Sequence, residues 1–126
     1  MKIEHVGLWV SDLEKMKTFY EKYFGAKAGN LYHNQKTNFR SNFLSFDGGN
    51  TRLELMNNPK ITERFNESLG YAHIAYQVEN EGAVDNLHHQ LVEDGYQHVN
   101  GPRVTGDGYY EAVVEDPEGN LIEITA

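Results

Sequence analysis

The chain is written twice, and that constrains its fold more than any other feature. The run His5-Val6-Gly7-Leu8-Trp9-Val10 returns as His73-Ile74-Ala75-Tyr76-Gln77-Val78, 68 residues on. Each run leads into a stretch with helical spacing that stops at a glycine, Gly25 or Gly95. Each half then closes on an acidic turn and a strand, from Asp47 to Leu55 and from Asp116 to Ile124, with Glu54 and Glu123 at equivalent places 69 residues apart. A period of this length marks a duplicated supersecondary unit.

Within each half the pattern predicts strand, helix and three strands. The first half opens with a strand over about residues 3–10. Ser11 and Glu14 have the spacing of a capping box, and Leu13, Met16, Phe19, Tyr20 and Tyr23 recur at helical intervals up to Gly25. Strands are expected near residues 26–32, 39–46 and 51–56. In the second half a strand near residues 72–78 precedes a helix capped by Asn80 and carrying Ala83, Val84, Leu87, Leu91 and Val92. Strands near residues 97–99, 109–115 and 121–125 complete it, and residues 101–108, with three glycines, are expected to form a mobile loop. The fold class expected is α+β: one domain of two βαβββ modules, about residues 1–57 and 71–126, joined by a linker over about 58–70. Together the modules are expected to form a curved mixed sheet around a metal site.

The metal enters through side-chain alternation, because successive residues of a strand face opposite ways. Val6, Leu8 and Val10 form one face of the first strand and His5, Gly7 and Trp9 the other. The repeat divides Ile74, Tyr76 and Val78 from His73, Ala75 and Gln77 in the same way. In the closing strands Glu54 lies between Leu53 and Leu55, and Glu123 between Ile122 and Ile124. The aliphatic faces should pack on the helices, leaving each half one His and one Glu on its other face. Carboxylates turned inward are costly unless they are paired or bind a metal. A divalent cation held by His5, Glu54, His73 and Glu123 removes that cost and leaves a formally neutral inner sphere. Such N/O donors suit Ni, Co, Zn, Mn or Fe, with one ion per site. The other histidines, His33, His88, His89 and His98, are expected to be surface or structural residues.

Bulk properties narrow the field. The 126 residues contain no Cys, which excludes disulfides, thiolate ligands and a Cys nucleophile. That composition suits a reducing cytoplasm, and the first residues show no secretory pattern. No apolar run is long enough for a membrane span. A formal charge of −8 argues against binding a nucleic-acid backbone.

Taken together, His5–Leu13, Phe19–Gly25, Gly70–Ala75 and Glu115–Glu123 resemble the vicinal oxygen chelate superfamily, which includes glyoxalases, bleomycin resistance proteins and dioxygenases. Within it the chain is most similar to the glyoxalase I (lactoylglutathione lyase) branch. The resemblance covers essentially the whole chain and places the family's four ligands on His5, Glu54, His73 and Glu123. It implies a homodimer, commonly with sites shared between subunits. It also implies a lyase or isomerase acting on the thiohemiacetal of a 2-oxoaldehyde. Glu123 is then the expected base and Glu54 its partner. Trp9 stands where similar enzymes usually carry an Arg that holds the glutathione carboxylate. It cannot form that ion pair, so the thiol of the substrate could be glutathione or another, and Trp9 is expected to form an apolar wall. Asn57 or Asn58 could supply an amide to the substrate, and Arg103 or Arg52 a charge.

Two other functions stay open. An Fe(II)-dependent extradiol-type dioxygenase could use His5, His73 and Glu123 as a facial triad. A non-catalytic protein that sequesters a small molecule, such as an antibiotic, could use Trp9 and the tyrosines as stacking walls.

Overall fold

The computed structural model describes all 126 residues, Met1–Ala126, and the chain divides into two compact units, Met1–Phe65 and Asn66–Ala126. Each unit contains one βαβββ module, and its strands pair into a mixed sheet of its own. No helix is long and apolar enough to cross a membrane.

The first unit runs β1 (His5–Trp9), α1 (Leu13–Phe24), β2 (Lys27–Ala28), β3 (Tyr32–His33), β4 (Arg40–Ser45) and β5 (Arg52–Asn57). Its sheet has the order β1-β5-β4-β2, with β3 also paired to β4 and only β1–β5 parallel. Helix α1 forms because its apolar residues fall on one stripe: Leu13, Met16, Phe19, Tyr20 and Tyr23 are all buried. They pack against β4 and β5, where Leu44, Leu53 and Leu55 are at most 3 % exposed. Burying each such leucine contributes about 1.5–3 kcal/mol.

Two local expectations change. The helix is capped by Asp12, not Ser11: the Asp12 carboxylate accepts the Lys15 N–H at 3.0 Å. An anionic cap also complements the positive helix end. The single strand expected near residues 26–32 is split into β2 and β3. Between them the Gly29 N–H donates to the Phe43 carbonyl at 2.8 Å, while the Asn42 amide donates to the Gly29 carbonyl at 3.0 Å.

The second unit runs β6 (His73–Gln77), α2 (Glu81–Glu93), β7 (His98–Val104), β8 (Tyr110–Glu115) and β9 (Leu121–Thr125), with sheet order β6-β9-β8-β7. Asn80 caps α2 by accepting the Ala83 N–H at 2.9 Å. Val84 and Leu91 of α2 are fully buried, as are Ala112 and Val114 of β8 and Ile124 of β9. Much of the loop expected at residues 101–108 is strand instead, because β7 continues to Val104 through two register shifts. Gly101 makes this passage possible. Its φ is +74°, and a Cβ there would lie 2.5 Å from the Glu111 carbonyl oxygen.

The turn before β9 is tightly specified. Asp116 is 4 % exposed, and its carboxylate accepts the Glu118 and Asn120 backbone N–H groups, each at 2.9 Å, and the Asn120 side-chain amide at 2.8 Å. Pro117 at the second turn position suits this geometry. The turn fixes where β9 begins, and hence which of its residues face outward.

Candidate metal centre

Each unit builds the same half-site by the same register. In the first, the parallel β1–β5 ladder sets His5 opposite Arg52 and Gly7 opposite Glu54. In the second, the parallel β6–β9 ladder sets His73 opposite Leu121 and Ala75 opposite Glu123. His and Glu are therefore diagonal neighbours on one face, with only Gly7 or Ala75 standing directly across from the carboxylate. At Gly7 a Cβ would lie 2.8 Å from the Met56 sulfur. His5 Nε2 lies 3.7 Å from Glu54 Oε2, and His73 Nε2 lies 3.4 Å from Glu123 Oε2. The environments match as closely: the His side chains are 41 % and 44 % exposed, the Glu side chains 16 % and 17 %.

The donor set fits a divalent ion. Two ligands bound at about 2.0–2.2 Å to one ion lie about 2.8–3.6 Å apart, from right-angled to tetrahedral geometry; the His73–Glu123 pair falls within that range and the His5–Glu54 pair just beyond it. Each unit supplies one imidazole and one carboxylate, with no thiolate, which is the chemistry expected of Ni, Co, Zn, Mn or Fe sites. No group of three or more His, Cys, Asp or Glu side chains is placed to hold an ion; what each unit brings together is one His with one Glu.

The surroundings of the two half-sites have diverged. At the far end of β1 from His5, on the same face, Trp9 is 44 % exposed and meets Phe39 edge-on at 6.2 Å, and Phe39 in turn lies 6.1 Å from Tyr32. Met56, opposite Trp9 in the ladder, adds to this apolar shelf. Beside Glu123 the face is polar. Glu111 and Gln77 are both paired with Thr125, whose buried hydroxyl oxygen has no hydrogen-bond partner. Arg103 is opposite Glu111, with its guanidinium 3.9 Å from the Glu111 carboxylate and 3.3 Å from Asn100 Oδ1.

Glu111 was not singled out by the sequence reading, and its position is electrostatically telling. Burial, and then its hydrogen bond and charge repulsion with Glu123, push its carboxyl above the ordinary value of 4.5, against a smaller opposing pull from Arg103. Folding thus tightens proton binding at Glu111. The associated stability is fully present below the ordinary value and is lost as pH rises through the raised one. Glu111→Gln is therefore expected to melt above the parent near pH 8 in metal-free protein, with the gain fading as the pH falls below the ordinary carboxyl range. Thermal melts of both proteins across that range test this, and an unchanged or lower melting temperature near pH 8 would contradict it.

Asn57 departs from expectation. Alternation along β5 puts it with Leu53 and Leu55, on the face opposite Glu54, and it is 7 % exposed. Its amide donates to the Val10 and Ser11 carbonyls at 2.8 and 3.1 Å, and its oxygen accepts from Arg40 at 3.2 Å. These bonds tie the end of β1 to β5 and occupy both amide hydrogens. Asn57→Ala should cost about 1–3 kcal/mol of stability, the penalty for stranding buried polar groups. It should leave metal content unchanged, which denaturant melts and elemental analysis would check together.

The remaining histidines pair elsewhere. His33 lies 2.8 Å from Asn38 Oδ1, His88 lies 2.9 Å from His98, and His89 lies 3.2 Å from Glu93.

Comparisons with known proteins agree with this fold. The model of the Glyoxalase/Bleomycin resistance protein/Dioxygenase superfamily matches residues 2–124. Among solved structures, the chain is similar to a glyoxalase family protein of Enterococcus faecalis, with 25 % identity and a TM-score of 0.80 over 99 % of this chain and 97 % of that one. It is also similar to the trypanothione-dependent glyoxalase I of Leishmania major, at 24 % identity and TM-score 0.79 over 99 % and 86 % of the two chains. A variant of glyoxalase I from Zea mays aligns at 23 % identity and TM-score 0.80, covering 98 % of this chain and 44 % of the maize chain. No curated protein matches the sequence.

Proposed function

Because this chain belongs to the Glyoxalase/Bleomycin resistance protein/Dioxygenase superfamily, we propose that it is a divalent-metal-dependent lyase or isomerase of the glyoxalase I kind. Its substrate is an enolisable carbonyl compound, of the type formed when a thiol adds to a 2-oxoaldehyde. The observation that carries this reading is the pair of equivalent half-sites, His5 with Glu54 and His73 with Glu123, whose ring nitrogens and carboxylate oxygens face each other at 3.7 and 3.4 Å. Glu54 is the discriminating residue: it makes the set four ligands instead of the three of a facial triad, and so favours this chemistry over ring-cleaving oxygenation.

His5, Glu54, His73 and Glu123 would hold one ion per site, each half-site coming from one of two copies in a homodimer that acts in the cytoplasm. When bound, the ion supplies Lewis acidity that stabilises negative charge developing on the substrate oxygens. The remaining steps belong to side chains. Glu123 takes the proton from the carbon bearing sulfur, and the C–H electron pair becomes a C–C double bond as the π pair of the neighbouring carbonyl moves onto its oxygen. The same proton then returns to that neighbouring carbon, using the C–C double-bond pair, while the hydroxyl proton on the sulfur-bearing carbon passes to the other oxygen and leaves a thioester carbonyl; the product is the thioester of a 2-hydroxy acid with no net gain or loss of atoms or electrons. Glu54 stands on the other half-site as its partner and exchanges roles with substrate stereochemistry. Trp9 and its aromatic neighbours provide an apolar wall, and Arg103 a positive charge beside Glu111.

Two measurements test this. Elemental analysis of protein purified without chelator should find a stoichiometric divalent metal. Methylglyoxal with glutathione, or with another thiol, should be turned over by loaded protein, lose turnover on chelation and regain it on metal addition. Absence of turnover with Ni, Co, Zn, Mn and Fe in turn would defeat the proposal. Oxygen uptake with iron and a catechol would instead establish the oxygenase.

A further inference from the structure

We propose that Glu4 and Arg52 are positioning residues for His5, setting which ring nitrogen is free to bind a metal and so making the first half-site the preset one of the two. The inference rests on the metal-site reading above and adds residues that the duplication does not share.

Glu4 Oε2 lies 2.5 Å from His5 Nδ1. An ionised carboxylate can only accept, so Nδ1 carries the proton and Nε2 is left with its lone pair. That lone pair faces Glu54 Oε2 at 3.7 Å, an approach of two acceptors that a cation completes. Glu4 is itself held. Arg52 donates to its other oxygen from Nε at 2.8 Å and from Nη2 at 2.5 Å, and the Arg52 backbone N–H donates to the Glu4 carbonyl at 3.0 Å. Phe43 organises the cluster from below: the Arg52 guanidinium lies over its ring at 4.1 Å, and the His5 ring meets it edge-on at 5.3 Å. Carboxylates in this outer position orient a ligating imidazole and raise its basicity.

The second half-site lacks the device. Ala72 stands where the first repeat has Glu4, and Leu121 where it has Arg52. His73 therefore serves as a control inside the same molecule. The Glu123 carboxylate lies 3.4 Å from His73 Nε2, so a neutral imidazole there favours the proton on Nε2, the nitrogen that must be bare to ligate.

Ring nitrogen–proton NMR correlation on metal-free protein near pH 8.5, above the ordinary imidazole range, reads the tautomers directly. His5 should be mainly the Nδ1–H form and His73 mainly the Nε2–H form. Glu4→Ala should turn the His5 pattern into that of His73. It should also weaken zinc binding, measured by competition with a chromophoric chelator, by roughly 10- to 100-fold. Glu4→Gln, which still offers an accepting oxygen, should restore part of the Nδ1–H form. Identical tautomers for His5 and His73 in the parent, or a His5 pattern unmoved by Glu4→Ala, would overturn the assignment. If zinc does not bind the parent at all, the metal-site reading fails, while the tautomer arm still decides the role of Glu4.

Discussion

Glu123→Gln is expected to lower metal-dependent turnover of the thiol–methylglyoxal adduct by roughly 10²- to 10⁴-fold, the range associated with losing a positioned general base. The substitution is close to isosteric. Its amide oxygen can still accept hydrogen bonds from the direction in which Glu123 Oε2 faces His73 Nε2, but it cannot take up a proton from carbon. The fold should survive, because β9 is held by Ile122 and Ile124 on its buried face and by the Asp116 turn at its start. The loss should therefore appear in kcat, with the melting temperature little changed. Metal content must be measured on the same sample, since an amide is a weaker ligand than a carboxylate. A fully loaded Glu123→Gln protein with parental kcat would remove Glu123 from the chemistry and leave it a ligand only.

That His5 shares a face with Glu54, and His73 with Glu123, is legible in the sequence through periodicity. Strand alternation is a rule of strict period two, so the parity of His5 against Val6, and of Glu54 against Leu53, fixes which face each occupies. The parallel ladders then bring each His and Glu together on one face of a module. The same rule, applied one step further, puts Asn57 on the face of Leu53 and Leu55, opposite Glu54.

Features that depend on backbone irregularity were less accessible. The division of one expected strand into β2 and β3 follows from hydrogen bonds at Gly29 that no periodicity announces. The extension of β7 through Gly101 requires two register shifts, and register is invisible until the partner strand is placed. Ser11 and Asp12 are both good capping residues, and only the helix start at Leu13 decides between them. Side-chain pairing across strands was the least legible of all. Glu4 with Arg52 and Glu111 with Glu123 lie far apart in sequence and are joined only by the ladders. Glu4 did carry one signal, its position immediately before a candidate ligand.

Mixing two inactive variants is expected to restore activity. One carries His5→Ala and Glu54→Gln and so lacks the first half-site; the other carries His73→Ala and Glu123→Gln and lacks the second. Each alone should bind no metal tightly and turn over nothing, because every site it can form keeps only one imidazole and one carboxylate. A homodimer that builds each site from the first half-site of one copy and the second half-site of the other behaves differently when mixed. In the mixed dimer one site collects all four lost residues, and the other collects His5, Glu54, His73 and Glu123 intact. With random pairing half the dimers are mixed and half their sites are whole, so co-expressed or co-refolded variants should reach about a quarter of parental activity. Metal content should rise in the same proportion. If each chain instead completes its own site, every site in the mixture remains defective and no activity returns. Sharing between subunits would then be wrong, while the four-ligand set itself would stand or fall on Glu123→Gln and on the metal content of the parent.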